Sequence, residues 1–120
     1  MINLKSPDEI GILREGGKRL AQILGEISAF VAPGISTLEI NKLTMKLIEK
    51  VGGKPAILNY KPYGAKRPYP AAICVSVNDA IVHGIPNEEP VIFKEGDIVG
   101  LDTSLNYKNF ITDMAVTVPI

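Results

Sequence analysis

The sequence has no tryptophan, a single histidine and a single cysteine in its 120 residues. One cysteine, Cys74, excludes an intrachain disulfide framework and suits a reducing compartment. Lysines and arginines number 13, aspartates and glutamates also 13, and no basic run or basic stretch interleaved with aromatics occurs. Charge therefore supplies no argument for nucleic acid or an anionic membrane as a partner. No apolar run approaches about 20 residues, and Met1 to Ser6 lacks the apolar core of a secretion signal, so neither membrane spanning nor export is expected. A cytoplasmic protein is the default. Repeats, low-complexity tracts and linkers are missing too, which leaves one domain long enough to bury a core.

What is present begins with two helix signals. "SPDE" at Ser6 to Glu9 places a serine N-cap before a proline, with a glutamate positioned to close a capping box. Ile10, Leu13, Gly17, Leu20, Leu24 and Ile27 then recur in steps of three and four, an apolar stripe facing a core. "APG" at Ala32 to Gly34 ends that helix. Ser36 and Glu39 repeat the capping-box spacing, and Ile40, Leu43, Leu47, Ile48 and Val51 form a second stripe that stops at Gly52-Gly53.

After Gly53 the texture turns to short β-branched runs, and strands are expected near Ala56 to Leu58, Ala72 to Val77, Ile98 to Leu105 and Phe110 to Val118. "NYKPYGAKRPYP" is too interrupted by proline for a regular element and rigid enough to wall a pocket. Helices first and strands second point to an α+β domain, with two helices packed on one face of a curved antiparallel sheet.

The last two strands each carry one aspartate in mostly uncharged surroundings. Ionised carboxylates are costly to bury, so Asp102 and Asp113 need a reason. With Tyr107 and Lys108 as the hairpin loop, Asn106 faces Asn109 and Asp102 stands directly opposite Asp113, with Cβ atoms about 4.5–5.5 Å apart. Two like charges at that separation repel unless one is protonated or a cation lies between them. A longer or bulged loop would instead let each carboxylate face water at a sheet edge. Spacing alone leaves both readings open.

His83 lies between an apolar run and a Gly-Ile-Pro turn, a tight connection from which a side chain reaches a cleft, donates to a carbonyl or ligates a metal. Lone histidines are also commonly structural. Cys74, in "AAICVSV", reads as packing or pocket lining, since its only available base would be His83.

Together, "SVNDAIVHGIP", "EGDIVGLD" and the return to "TDMAV" resemble the amino-terminal half of type I methionine aminopeptidases, members of the pita-bread metallopeptidase family. The resemblance runs through the "SPDEI" start, "V.PGIST.EI" and the tyrosine-rich loop, so residues 1–120 are expected to form one half of a pita-bread fold, whose two similar halves enclose a dinuclear metal site. It implies that Asp102 and Asp113 are metal ligands, the second bridging both ions. It makes His83 the catalytic contact to substrate, and Tyr69 and Cys74, with Tyr60 or Tyr63, the pocket for the first side chain. The cofactors implied are two divalent ions, with manganese, iron, cobalt and zinc all compatible. The substrate implied is the N-terminal methionine of a peptide or nascent protein.

The family pattern has asparagine at the position of Gly100 and glycine at that of Thr112. Ile111 and Met114 also depart from it. The pattern's remaining ligands, a histidine and two glutamates, belong to a carboxy-terminal half. The expectation is thus a half that is inactive alone, and that acts as a fragment, as a homodimer through the surface the other half would cover, or as a non-catalytic interaction module.

Overall fold

Both helix starts form where the capping boxes lie. In the computed structural model, which describes residues 1–120, α1 spans Pro7–Phe30 and α2 spans Thr37–Lys50. Ser6 accepts from the Glu9 amide while Glu9 accepts from the Ser6 amide, and Ser36 and Glu39 repeat the exchange. Each box satisfies amides that the first helical turn leaves without partners. The stripe of α1 holds from Leu20 onward: Leu20, Ile23, Leu24 and Ile27 are buried, while Ile10 is exposed. Gly16, not Gly17, is the glycine turned to the sheet. A Cβ there would meet Thr112 and Tyr107 at 3.5 Å, so the missing side chain lets helix and strand approach.

Four strands follow: β1 (Lys54–Pro55), β2 (Cys74–Val77), β3 (Ile98–Tyr107) and β4 (Phe110–Pro119). All pairings are antiparallel and all involve β3, with β1 and β2 sharing one of its edges and β4 occupying the other. Val99, Leu101, Thr103 and Leu105 alternate toward the helices and are fully buried. With Leu20, Ile23, Ile27, Ile40, Ile48 and Phe93 they make up most of the core between helices and sheet. Arg19 ties the layers at one end: its Nη1 donates to the Val51 carbonyl at 2.7 Å and its guanidinium lies 4.4 Å from the centre of the Tyr107 ring. This is the expected α+β arrangement, two helices on one face of an antiparallel sheet. No helix is long and apolar enough to cross a membrane.

Two sequence expectations are corrected. The first strand is Lys54–Pro55 rather than Ala56 to Leu58. Ala56 still donates to the Ser104 carbonyl, but the chain then turns away through Asn59, whose φ is 64°. The hairpin loop is Lys108-Asn109, not Tyr107-Lys108. Both loop residues adopt positive φ, 50° and 67°, the requirement of a type I′ turn, whose twist matches that of the strands it joins. Tyr107 consequently pairs with Phe110, Asp102 with Ala115 and Ser104 with Asp113. The aspartates keep a common face, because the register moves by an even step, but they are diagonal neighbours rather than directly opposed.

Glu39 makes the α2 cap sensitive to acid. Its hydrogen bonds to the Ser36 amide and hydroxyl hold its carboxyl below the ordinary glutamate range. A depressed folded-state pKa means that the contribution to stability is present above the unfolded value and lost as pH falls through the folded one. Thermal melts from pH 6 to pH 2 should therefore show a shallower acid-side decline in Glu39→Gln, which keeps an acceptor for the cap without a titrating charge. Equal slopes for the two proteins would contradict this role.

Candidate functional site

The sheet face away from the helices carries the polar side chains of β3. Strand pairing arranges them in rows: Cys74, Asp102 and Ala115 stand side by side across β2, β3 and β4, and Ser104 stands beside Asp113 in the next row. Diagonal neighbours of this kind have Cα atoms about 7–8 Å apart, close enough for two carboxylates to feel each other and to reach one ion. The segment between β1 and β2 folds over this face and borders an open cavity of about 530 Å³. Asp102, Ser104 and Asp113 lie on its floor, Tyr60, Tyr69 and Cys74 contribute to its walls, and His83 borders it.

Proline and tyrosine build the covering loop, as their interrupted spacing suggests. Tyr69 exchanges backbone hydrogen bonds with Asn59 and Tyr60, and its hydroxyl lies 3.1 Å from the carbonyl oxygens of both Ile73 and Gly84. Asn87 donates to the Pro70 carbonyl at 3.0 Å, and Arg67 pairs bidentately with Glu88. The loop is thereby fastened to residues 84–88 at several points, which gives the cavity fixed walls.

His83 is held by its neighbour. Gly84 donates to Ser76 Oγ at 3.1 Å and accepts from the Val75 amide at 2.9 Å, so residue 84 hooks onto the free edge of β2. A Cβ at Gly84 would stand 2.1 Å from the Val75 carbonyl oxygen, which only glycine avoids. His83 itself takes a φ of 59° and is exposed, bordering both the main cavity and a second one of about 570 Å³ edged by Asp79, Glu88 and Glu89.

The electrostatics follow from this packing. Burial raises the Asp102 carboxyl above the ordinary aspartate range, the charge of Asp113 raises it further, and His83 works in the opposite direction. Burial likewise raises Cys74, the Tyr69 hydroxyl opposes that rise, and the two carboxylates add to it. Tyr69 is shifted upward, first by burial and then by its contact with Cys74. The carboxylate pair fits a divalent cation: its oxygens are hard donors, and a cation would relieve the repulsion the pair now carries. It fits as part of a shell, since no third histidine, cysteine, aspartate or glutamate converges with the pair.

Of the residues singled out in the sequence, Tyr60, Tyr69, Cys74, His83, Asp102 and Asp113 come together around the one cavity. Tyr63 does not join them; its side chain projects fully into solvent. Two residues at the site were not singled out. Ser104 is buried on the cavity floor and donates from Oγ to Asp113 Oδ1 at 2.5 Å. Arg67 joins the wall through its pair with Glu88. Ser104 was marked only by its place two residues beyond Asp102, and Arg67 by nothing that separated it from other surface cations.

Cys74 is 7% exposed and its thiol is raised, so it should alkylate slowly. Iodoacetamide at pH 8 is expected to label the folded chain at least about tenfold more slowly than the chain in urea. Equal rates would mean that the covering loop does not shield the cavity wall.

The model of the metallopeptidase family M24 matches residues 11–120. A methionine aminopeptidase of Aquifex aeolicus is 43% identical over 98% of the chain, and methionine aminopeptidase 1 of Bacillus subtilis is 38% identical over all of it. Each alignment spans 45% of the relative. The crystal structure of the methionine aminopeptidase of Thermotoga maritima superposes with a TM-score of 0.85 at 39% identity, covering 99% of this chain and 46% of that one. The chain thus spans about half the length of the curated relatives it matches, and its two helices and four-stranded sheet correspond to half of their pita-bread fold. By that match over nearly its whole length, the chain belongs to metallopeptidase family M24.

Proposed function

We propose that the chain supplies one half of a methionine aminopeptidase centre, in which Asp102 and Asp113 hold divalent metal and the cavity above them receives an N-terminal methionine. The observation that carries this reading is the convergence of two mutually repelling carboxylates on the floor of a cavity walled by Tyr60, Tyr69 and Cys74. Membership of a metallopeptidase family, with methionine aminopeptidases as relatives, supports it. In the proposal the complete centre would hold two ions, with Asp102 and Asp113 as this chain's contribution to their shell; manganese, iron, cobalt and zinc would all suit such donors.

Bound metal supplies Lewis acidity toward a scissile carbonyl and an acidified water. The residues of this chain do the rest of what falls to them. Tyr69, whose hydroxyl reaches the Ile73 and Gly84 carbonyls, and Cys74, held on β2, would shape a pocket for an unbranched, polarisable thioether side chain. In the proposal His83, exposed at the cavity border beside the backbone anchor at Gly84, donates a hydrogen bond to the peptide beside the first residue. Nascent proteins in the cytoplasm are the proposed substrates. Because two carboxylates complete neither shell, these 120 residues alone should not turn over a Met-Ala-Ser peptide at an appreciable rate.

The test is metal-dependent stability. Manganese at ten times its Kd is expected to raise the melting temperature by about 3–6 °C, and Asp102→Asn and Asp113→Asn should each abolish the rise. A rise that survives both substitutions would overturn the assignment of these ligands.

A second reading, a non-catalytic half that pairs with a second copy of itself, is favoured by β4. That strand pairs only with β3, and its other edge runs along a sequence whose single charge is Asp113. Ile111, Met114 and Val116 are exposed along it. Such an edge lacks the lysines and bulges that usually protect against pairing. Two copies related by a twofold axis would bring their carboxylates together, so the association should tighten with manganese and loosen with a chelator. Sedimentation equilibrium at tens of micromolar tests it: a dimer favoured by manganese is expected, and a monomer under both conditions would exclude the pairing.

A further inference from the structure

We infer that Ser104 is a positioning residue for the metal centre, acting through Asp113 rather than on metal or substrate. The inference rests on the proposed role of Asp113 as a metal ligand.

Asp113 lies on an outer strand and is exposed, so nothing in its packing confines its carboxylate. The charge of Asp102 across the diagonal drives it outward, toward water and away from β3. One contact opposes that drift. Ser104 stands directly opposite Asp113 in the register, is 8% exposed, and donates its hydroxyl proton to Asp113 Oδ1 at 2.5 Å. It is the only hydrogen bond that the Asp113 carboxylate receives, and the Asp102 carboxylate receives none. A hydroxyl has one proton to give, so Ser104 engages one oxygen and leaves Oδ2 to face an ion.

Register and burial make Ser104 suited to this work. Its carbonyl accepts from the Ala56 amide, which holds its backbone from the β1 side, while β4 holds it from the other. A donor fixed on both sides restricts the torsions of its acceptor, and that restriction orients a ligand before the ion arrives. The divergence from the family pattern at Thr112, next to Asp113, sharpens the point: Thr112 faces α1, with its hydroxyl buried and unpartnered, and does nothing to hold the carboxylate on the other face.

The test compares manganese affinity and metal-free stability in one series, with free manganese followed by electron paramagnetic resonance. Ser104→Ala should weaken manganese binding about tenfold and leave the metal-free melting temperature unchanged. Ser104→Thr, which keeps the hydroxyl, should restore the affinity, and Ser104→Val, which keeps the shape of threonine without the hydroxyl, should not. Wild-type affinity in Ser104→Ala, or equal affinity in the threonine and valine variants, would overturn the positioning role while leaving the metal assignment standing. A metal-free melting temperature that falls in proportion to the lost affinity would also overturn it, in favour of a packing role. If Asp113→Asn binds manganese as the wild type does, the metal reading itself fails and this inference falls with it.

Discussion

Two carboxylates that repel each other are kept as diagonal neighbours on one face by the register of a single hairpin. Everything else at the site is arranged around that constraint. β3 is the central strand, paired on both edges and backed by fully buried Val99, Leu101, Thr103 and Leu105, so Asp102 sits on the stiffest backbone of the fold. β4 is bound to it along ten residue pairs, which fixes the row that Asp113 occupies. Releasing the repulsion by slipping the register is opposed by those ten pairs, and a one-residue slip would also turn half-buried Thr112 and Val118 from the helix side to the other face. The remaining ways to relieve it are a proton, for which Asp102 already has raised affinity, or a cation.

The helices contribute by making the sheet rigid and one-sided. α1 lies across β3 and β4 with Gly16 against Thr112, and Arg19 joins α1, the end of α2 and the Tyr107 ring beside the hairpin turn. The apolar stripe thus covers one face and leaves the other to function. On that second face the tyrosine-proline loop, fastened by Tyr69, Asn87 and Arg67, converts a shallow sheet surface into a cavity. Its walls lower the local dielectric, which strengthens both the repulsion in the absence of an ion and the attraction in its presence.

Much of this was legible in the sequence because it depends on short-range rules. The capping boxes at Ser6 and Ser36 marked both helix starts, the stripes marked their buried faces, and the symmetric spacing of the aspartates about the expected turn placed them on one face. The directly opposed pairing did not survive, since it assumed a loop at Tyr107-Lys108. The chain turns one residue later because Asn109 accepts left-handed geometry with little strain and Lys108 is carried into it by the I′ turn. Ser104 stayed hidden for the same reason: its partnership with Asp113 exists only in the true register. Tyr63 was grouped with its neighbours by residue type, but the turn at Gly64, with φ of 83°, lies in the exposed part of the loop and leaves that ring in solvent. A tyrosine's chemistry can be read from its letter, whereas its direction depends on the path of the loop.

The central claim is that Asp102 and Asp113 together form the place where this chain holds a divalent ion. Paramagnetic broadening by substoichiometric manganese in a nitrogen–proton correlation spectrum maps that place residue by residue. The account predicts that amides of Cys74, Thr103, Ser104 and Asp113 to Ala115 broaden first, while those at the start of α1, Asp8 to Gly11, broaden least. Broadening centred instead on Asp79, Glu88 and Glu89, or spread evenly over the surface carboxylates, would contradict it.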